Sequence, residues 1–293
     1  MSRVSPKVLA LLGLLTLVWG TNWPLFRIAL DELPVWTFRT IVLAAAICVL
    51  APILLVRRES FAVPKDRWLP LMAASAMNIG VWNIATSLAV LYIPSGHASV
   101  LAYTMPLWVA AIGFAVFGQK LTGRLLAAIA IGAAAVAALM IPNFASYASA
   151  PAGLFWGLFA GFCWAVGTFI VKRTTWPGMG LSLTFWQVVL SFPPIAVGAF
   201  VIDGLPTHWP SAKALAATLY TGMIPMALGT ATWFALVKLL PAQVAALSSI
   251  AIPIVAIVSG ILILHEPLSA LQAVAIASTV ISLWLALVPA GQR

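Results

Sequence analysis

Residues 7–26 read KVLALLGLLTLVWGTNWPLF, and this run decides the fold class. Apart from Lys7 at its start the run carries no charge. A helix of about 20 apolar residues crosses the roughly 30 Å hydrocarbon core of a bilayer. No small-residue cleavage site leads from the run into a polar mature domain, as it would in a signal peptide. The run therefore predicts a first transmembrane helix that is retained in the protein.

The rest of the chain has the same apolar character. Of its 293 residues, 63% are hydrophobic and 7% are charged, whereas soluble globular proteins carry about 25% charged residues. This composition excludes an ordinary cytosolic enzyme. Apolar runs of spanning length, numbered here as spans 1 to 10, lie near residues 8–29, 34–56, 68–91, 95–118, 121–141, 152–172, 180–202, 212–238, 242–264 and 268–288. Because the connections are short and the alternation of barrel strands is absent, the sequence predicts an all-α polytopic membrane protein with ten transmembrane helices.

The distribution of basic residues agrees with this count. If both termini are cytoplasmic, twelve basic residues fall on the cytoplasmic side: Arg3, Lys7, Arg57, Arg58, Lys65, Arg67, Lys120, Arg124, Lys172, Arg173, Lys238 and Arg293. The outer turns then hold one basic residue, Lys213. Basic residues concentrate on the cytoplasmic side of membrane proteins. The sequence therefore predicts a bacterial-type inner (plasma) membrane protein with both termini in the cytoplasm, and the net charge of +9 indicates topology, not nucleic-acid binding.

A shift of 147 residues aligns the second half of the chain with the first. Matched pairs include Thr37 with Thr184, Phe38 with Phe185, Pro94 with Pro241, Pro106 with Pro253 and, at a shift of 145, Trp19 with Trp164. We predict two five-span repeats, residues 1–141 and 152–293, joined by an outer linker, residues 142–151. Because five is odd, the repeats enter the membrane from opposite sides. This inverted arrangement lets a site at the midplane open to either face, which indicates transport.

Prolines inside the spans predict interrupted helices. Proline removes an amide donor and frees the carbonyl four residues earlier, and in lipid that carbonyl needs a protein, water or ligand partner. The candidate hinge prolines are Pro24, Pro106, Pro225 and Pro253. For each of them, a kink repaired by neighbouring Ser or Thr side chains is the alternative. His97, just after the turn at Pro94, is a candidate gating residue, with a plain span-end role as its alternative.

Amides and tryptophans lie together at mid-depth in several spans, as expected for the lining of a cavity. The candidate substrate-binding residues are Trp19, Asn22, Trp23, Arg39, Asn78, Trp82, Asn83, Tyr103, Trp164, Trp186, Gln187, Ser248 and Ser249. For a single amide, bonding between helices is the alternative. Arg39 lies about 8 Å into span 2, where it either attracts a substrate carboxylate or extends to the headgroups. Small residues in span 5 indicate scaffold packing or a homodimer contact, and the sequence leaves the dimer open.

Several kinds of chemistry are missing from the sequence. No Asp or Glu occupies the middle of a span, although ion-coupled carriers usually need an intramembrane ionisable group. The sequence has no G-x-x-x-x-G-K-[ST] loop for ATP, no paired carboxylates, no metal-spaced His/Cys cluster and no nucleophile elbow. We therefore expect no enzyme activity, no catalytic residues, no metal and no cofactor, and transport driven by the gradient of the substrate.

Four motifs resemble a known family. They are Trp19-Gly20-Thr21-Asn22-Trp23, Pro34 followed by Arg39, Ala102-Tyr103-Thr104-Met105-Pro106-Leu107-Trp108, and Glu266-Pro267-Leu268. These look like the EamA branch of the drug/metabolite transporter superfamily, and the similarity covers nearly the whole chain. The resemblance implies export of amino acids and other metabolites by alternating access through a central cavity, with aromatic amino-acid exporters as the most similar members. It matches Arg39 to the family's span-2 arginine and Asn22 to its polar span-1 position, whereas Gln119-Lys120 departs from the usual Glu after span 4.

The predicted function is export of amino acids, aromatic or bulky and apolar ones favoured, across an inner membrane by uncoupled facilitated transport. Tryptophans would stack on the side chain of this small-molecule substrate, and amides with freed carbonyls would bind its polar groups. The alternatives are a multidrug or organic-cation exporter, a proton-coupled metabolite antiporter, and a non-transport receptor or assembly factor. The receptor would leave the inverted repeat unexplained.

Overall fold

A computed structural model describes residues 6–119, 150–205, 208–239 and 252–265, with single positions between 123 and 134 and at 274 and 277. Within these ranges all regular structure is helical. The helices are α1 (Pro6–Gly20), α2 (Asn22–Leu30), α3 (Val35–Val56), α4 (Lys65–Tyr92), α5 (Ser95–Phe117), α6 (Pro151–Arg173), α7 (Ser182–Asp203), α8 (Ala212–Thr221, Gly222–Gly229 and Thr230–Leu239 in succession) and α9 (Ile252–Leu264). Helices α3 to α8 are each long and apolar enough to cross a membrane. Predicted spans 5 and 10 and the boundary between the predicted repeats lie almost wholly outside the described residues.

The first predicted span is divided at Thr21 into α1 and α2. Pro24, in the first turn of α2, has no amide proton, so the carbonyl of Gly20 lacks its partner within the helix. The Ser259 hydroxyl of α9 donates to that carbonyl at 3.4 Å. A hydroxyl from another helix, shared with the Ala256 carbonyl of α9 at 3.0 Å, therefore lies within hydrogen-bond distance of the carbonyl that the proline frees.

Four further irregularities lie in the described membrane-spanning helices, one of them a π-helical segment at the end of α7, Ala199–Asp203. Helix α5 is interrupted at Tyr103 and Thr104, just before Pro106. Helix α4 contains a π-helical segment, Ala76–Val81, and α8 contains another, Gly222–Gly229, around Pro225. A π segment has more residues per turn than an α-helix and is frequent at functional sites.

The helix boundaries follow the repeat seen in the sequence. Helices α3 and α7 both have 22 residues, and their first residues, Val35 and Ser182, lie 147 positions apart. The π segments of α4 and α8 also overlap at a shift of 147 residues. Helices α3 and α7 run antiparallel. Near the start of α3, the Thr37 amide and hydroxyl donate to Asp203 Oδ2 at the end of α7, at 2.6 and 2.9 Å.

The described turns lie at the two ends of the helical bundle. Residues 31–34, 93–94, 203–205 and 208–211 lie at one end, where the Ser211 amide and hydroxyl both donate to the Glu32 carboxylate at 2.6 Å. Residues 57–64 and 174–181 lie at the other, where the Leu181 amide donates to Glu59 Oε2 at 2.8 Å. We call these the Asp31 end and the Arg58 end, after one residue in a turn at each.

Close backbone contact holds the helices together between the two ends. A Cβ added to Gly222 of α8 would lie 2.5 Å from the Val42 carbonyl of α3, and one added to Gly161 of α6 would lie 2.8 Å from the Ala102 carbonyl of α5. Small residues at such crossings let helix backbones approach each other in a membrane. Helix α8 therefore contacts α3 closely, and α6 contacts α5 at its interruption. These helices surround one central space.

Candidate functional site: a central aromatic cavity

A narrow cavity lies at the centre of the bundle. Its lining is aromatic and polar, and comes from α1 to α6 and α8: Trp19, Asn22, Trp23, Phe26, Arg39, Trp82, Asn83, Tyr103, Trp164, Thr221, Pro225, Met226 and Thr230. The volume is about 50 Å³, whereas pockets that hold small ligands usually measure about 300 Å³ or more. In this structure the cavity can therefore hold a few water molecules.

The walls of the cavity are mainly indole rings. Trp19 and Trp164 meet edge to face with ring centroids 5.6 Å apart, and Trp82 lies 4.6 Å from Trp164. The Tyr103 ring lies 6.0 Å from both Trp82 and Trp23. Flat rings in these arrangements offer a large apolar surface for another ring, with a polar atom at the edge of each indole.

One of those polar edges already has a partner. The Trp19 indole Nε1 donates to the Pro225 carbonyl at 3.1 Å, in the π segment of α8. Trp164 Nε1 is buried and has no hydrogen-bond partner among the described residues. Two tryptophans at matched positions of the repeat are therefore bonded differently.

Arg39 places a buried positive charge in the cavity wall. The residue is 1% exposed, with Nε donating to Ser87 Oγ at 2.6 Å and Nη2 to Thr86 Oγ1 at 3.1 Å. Its guanidinium lies 4.1 Å from the Phe26 ring centroid and 4.7 Å from that of Phe38, within cation–π distance. Arg39 thus points into the protein and not to the headgroups, and no described carboxylate forms an ion pair with it.

Neutral hydrogen-bonding groups also line the cavity. Thr221 Oγ1 donates to Asn22 Oδ1 at 2.8 Å. Asn83 Nδ2 donates to the Ile79 carbonyl at 2.7 Å and contacts Met226 Sδ at 3.6 Å. No carboxylate belongs to the described lining. The cavity therefore combines an aromatic surface, one cation and several neutral donors and acceptors.

The structure brings most of the predicted binding residues together. Those that line the cavity are Trp19, Asn22, Trp23, Arg39, Trp82, Asn83, Tyr103 and Trp164. Asn78 and Gln187 lie elsewhere, in a buried polar cluster between α4 and α7, where Asn78 Nδ2 donates to Gln187 Oε1 at 3.2 Å. Trp186 lies near the Arg58 end and donates to the Phe61 carbonyl at 2.8 Å. Ser248 and Ser249 lie outside the described residues.

The candidate hinge residues are distributed differently. Pro225 lines the cavity within a π segment, while Pro24 and Pro106 adjoin the interruptions at Thr21 and Tyr103. Pro253 is the second residue of α9, and the chain before α9 lies outside the described ranges. His97 is buried in the first turn of α5, near the Asp31 end.

Four lining residues were not predicted: Phe26, Thr221, Met226 and Thr230. Phe26 follows Trp19 by seven positions and Asn22 by four, so helical spacing places all three on one face. Thr230 corresponds to Asn83 at the repeat shift of 147. Both could have been found from the sequence, whereas nothing in the sequence singles out Met226.

Comparison with known proteins gives a consistent result. The model of the EamA-like transporter family matches residues 7–141 and again residues 151–288. A probable amino-acid metabolite efflux pump of Escherichia coli is 26% identical over 90% of this chain and 89% of its own length. The uncharacterized transporter YvbV of Bacillus subtilis is 24% identical, with 88% and 84% covered. A probable terminal-alkyne amino-acid exporter of Streptantibioticus cattleyicolor is 26% identical, with 90% and 87% covered.

A solved crystal structure has a similar fold. It superposes with a TM-score of 0.72 over 96% of each chain, at 17% sequence identity. At this identity the likeness concerns the fold alone.

Proposed function

This chain belongs to the EamA-like transporter family, and from that premise we propose that it exports amino acids, with the central cavity as the substrate site. Family membership and transporter-named relatives indicate a membrane transporter, not an enzyme. Relatives named for amino-acid efflux support the substrate class. The observation that carries the proposal is the unpaired Arg39 guanidinium beside a wall of indole rings.

Arg39 is proposed to bind the substrate carboxylate. A guanidinium has five N–H donors, and Ser87 and Thr86 accept from two of them. Burying a charge without a counter-ion is costly. A substrate carboxylate in the cavity would pair with Arg39 and would offset the free-energy cost of burying its charge. The same charge disfavours an organic cation as substrate.

The aromatic wall is proposed to receive the substrate side chain. An added ring can stack on Trp82 or Trp164, whose centroids lie 4.6 Å apart, and aromatic pairs contribute about 0.5–1.5 kcal/mol beyond the area they bury. Asn22 Oδ1 is an acceptor for the ammonium group, and neighbouring indole faces attract a cation. These contacts favour aromatic and bulky apolar amino acids.

Alternating access between two inverted repeats is proposed as the mechanism. Two observations support it: the family model matches each half of the chain, and the matched helices α3 and α7 run antiparallel. The cluster of Arg57, Arg58, Lys65, Arg67, Lys172 and Arg173 at the Arg58 end supports a cytoplasmic position for that end in a bacterial inner membrane. Because no described carboxylate lines the cavity, transport is proposed to be uncoupled.

Purified protein in liposomes tests the proposal. Vesicles loaded with labelled tryptophan, phenylalanine, leucine or lysine are diluted without any ion gradient, and efflux is followed. We expect saturable efflux of the first three, and roughly 10- to 100-fold weaker apparent affinity in Arg39→Gln, the effect of losing a charge-assisted bond. Lys213→Gln, which removes an exposed charge, is the matched control. Equal efflux from loaded liposomes that contain no protein would overturn the proposed substrate. Efflux that occurs only under an imposed proton or sodium gradient would overturn the uncoupled mechanism.

A further inference from the structure

Two hydrogen bonds connect helices at opposite ends of the bundle. At the Asp31 end, Arg27 Nη1 of α2 donates to the Val90 carbonyl of α4 at 3.3 Å. At the Arg58 end, Lys172 Nζ of α6 donates to the Val237 carbonyl of α8 at 2.8 Å. Each joins a basic side chain to a backbone oxygen of another helix.

These two bonds are equivalent in the repeat. Val90 and Val237 lie 147 positions apart, which is the main repeat shift. Arg27 and Lys172 lie 145 positions apart, which is the shift that also relates Trp19 to Trp164. The same contact is therefore made once in each half, between a cation in the first helical span and a carbonyl in the third.

The position of the carbonyls explains why a cation suits each place. Val90 is in the last turn of Trp82–Tyr92, and Val237 precedes Pro241 by four residues, so no amide hydrogen at position 241 can reach its carbonyl. The last four carbonyls of a helix have no partner within the helix, and the C-terminal end carries a partial negative charge. A basic side chain satisfies the carbonyl and interacts favourably with that end.

The two basic residues have the same sequence separation from a tryptophan of the cavity. Arg27 follows Trp19 by eight residues and Lys172 follows Trp164 by eight, a rise of about 12 Å in either case. The joined helices are cavity walls: α2 and α4 carry Phe26 and Asn83, and α6 and α8 carry Trp164 and Thr230. Separating either pair at its bonded end would open the cavity toward that end.

We propose that Arg27 and Lys172 are gating residues that close the two ends of the cavity. The Arg27–Val90 bond holds α2 against α4 at the Asp31 end, and the Lys172–Val237 bond holds α6 against α8 at the Arg58 end. Transport breaks the two bonds alternately. In this structure both bonds are formed and the cavity measures about 50 Å³. The inference rests on the proposed alternating access and not on the identity of the substrate.

The accessibility of one cysteine in the cavity tests this inference without any substrate. Thr230→Cys is made in a chain in which Cys48 and Cys163 are replaced by alanine, and its reaction with a membrane-impermeant anionic methanethiosulfonate is timed in vesicles of both orientations. Separate Trp209→Cys and Lys65→Cys variants report which end faces outward. Arg27→Met should speed labelling from the Asp31 end, and Lys172→Met from the Arg58 end, each by roughly 3- to 10-fold, the effect of one hydrogen bond between the joined helices. Arg27→Met also removes the ion pair of Arg27 Nε with Asp31 Oδ1 at 3.0 Å, which lies on the same side of the contact and does not join α2 to α4.

Matched variants separate gating from loss of charge or of folding. Lys213→Met and Lys65→Met remove an exposed cation at each end and should leave labelling unchanged, and Arg27→Lys and Lys172→Arg should restore slow labelling. Monodisperse elution and a thermal transition show that each variant is folded. Unchanged rates in folded Arg27→Met and Lys172→Met, or faster labelling of both from the same end, would overturn the inference. Neither result bears on whether amino acids are the substrate, because that is read from efflux.

Discussion

Trp19 and Trp164, which correspond in the two halves of the chain, meet edge to face at the centre of the cavity with their centroids 5.6 Å apart. Despite this near symmetry, Trp19 Nε1 donates to the Pro225 carbonyl at 3.1 Å, whereas Trp164 Nε1 has no partner in the part of the chain that the structure describes. Comparing substitutions at these two matched tryptophans therefore measures how much one hydrogen bond contributes to the free energy of unfolding.

Trp19→Phe should destabilise the protein more than Trp164→Phe. Both substitutions remove the same atoms, but only the first breaks a hydrogen bond, to a carbonyl that also accepts from Thr230. The second removes an indole N–H that has no partner among the described residues, so the first should cost about 1 kcal/mol more. Thermal unfolding midpoints in detergent, measured side by side, test the difference. Equal midpoints, or a lower midpoint for Trp164→Phe, would contradict the assigned bond.

Arg39→Met should weaken amino-acid binding without lowering stability. The substitution removes a buried charge that has no described counter-ion, which is favourable for folding and offsets the lost bond to Ser87 Oγ. The Thr86 hydroxyl keeps its bond to the Trp82 carbonyl at 2.8 Å. Binding of the carboxylate should weaken by about 1.5–3 kcal/mol. Isothermal titration and thermal unfolding of the same preparation measure the two quantities. A large fall in the unfolding midpoint would show that Arg39 is mainly structural.

Arg39 also illustrates what the sequence can and cannot predict about this site. Its depth in the span follows from counting residues, but a count cannot tell whether a long side chain turns inward or extends to the headgroups. The structure turns it inward, onto Ser87 and the Phe26 ring. The apolar runs and the breaks near Pro24 and Pro106 could be predicted because each depends on local sequence.

Asn78 shows where helical periodicity fails. In an α-helix it would share a face with Trp82, four residues later, and we predicted that both would line the cavity. Asn78 lies within the π segment Ala76–Val81, whose longer turns rotate the residues before it relative to those after it. It faces Gln187 of α7 instead. No residue type in this segment predicts a π turn.

Gly222→Ala should destabilise the bundle, whereas Gly13→Ala should not. An added Cβ at Gly222 would lie 2.5 Å from the Val42 carbonyl and 2.7 Å from Ala45 Cβ, while nothing lies within 4 Å of one at Gly13. Overpacking of this kind costs about 1–3 kcal/mol, and alanine in an open helical position is neutral or favourable. Unfolding midpoints of the two variants check the contrast. Equal midpoints would mean that α3 and α8 are not in close contact.

Glu32 should make stability depend on pH in the acid range. The hydrogen bonds from the Ser211 hydroxyl and then its amide lower the pKa of this carboxyl below its ordinary value of 4.5. Because the folded-state pKa is the lower one, the contribution is complete above the ordinary value and is lost as the pH falls through the folded-state pKa. Glu32→Gln, which cannot ionise, should therefore lower the unfolding midpoint at neutral pH and remove part of its decline below about pH 4.5. Glu32 is partly exposed, so solvent screening keeps the expected effect small. Parallel pH series of wild type and variant measure it, with Asp66→Gln, at an exposed carboxylate of the Arg58 end, as control. Curves that stay parallel through the acid range would show that the Glu32–Ser211 bonds do not contribute to stability.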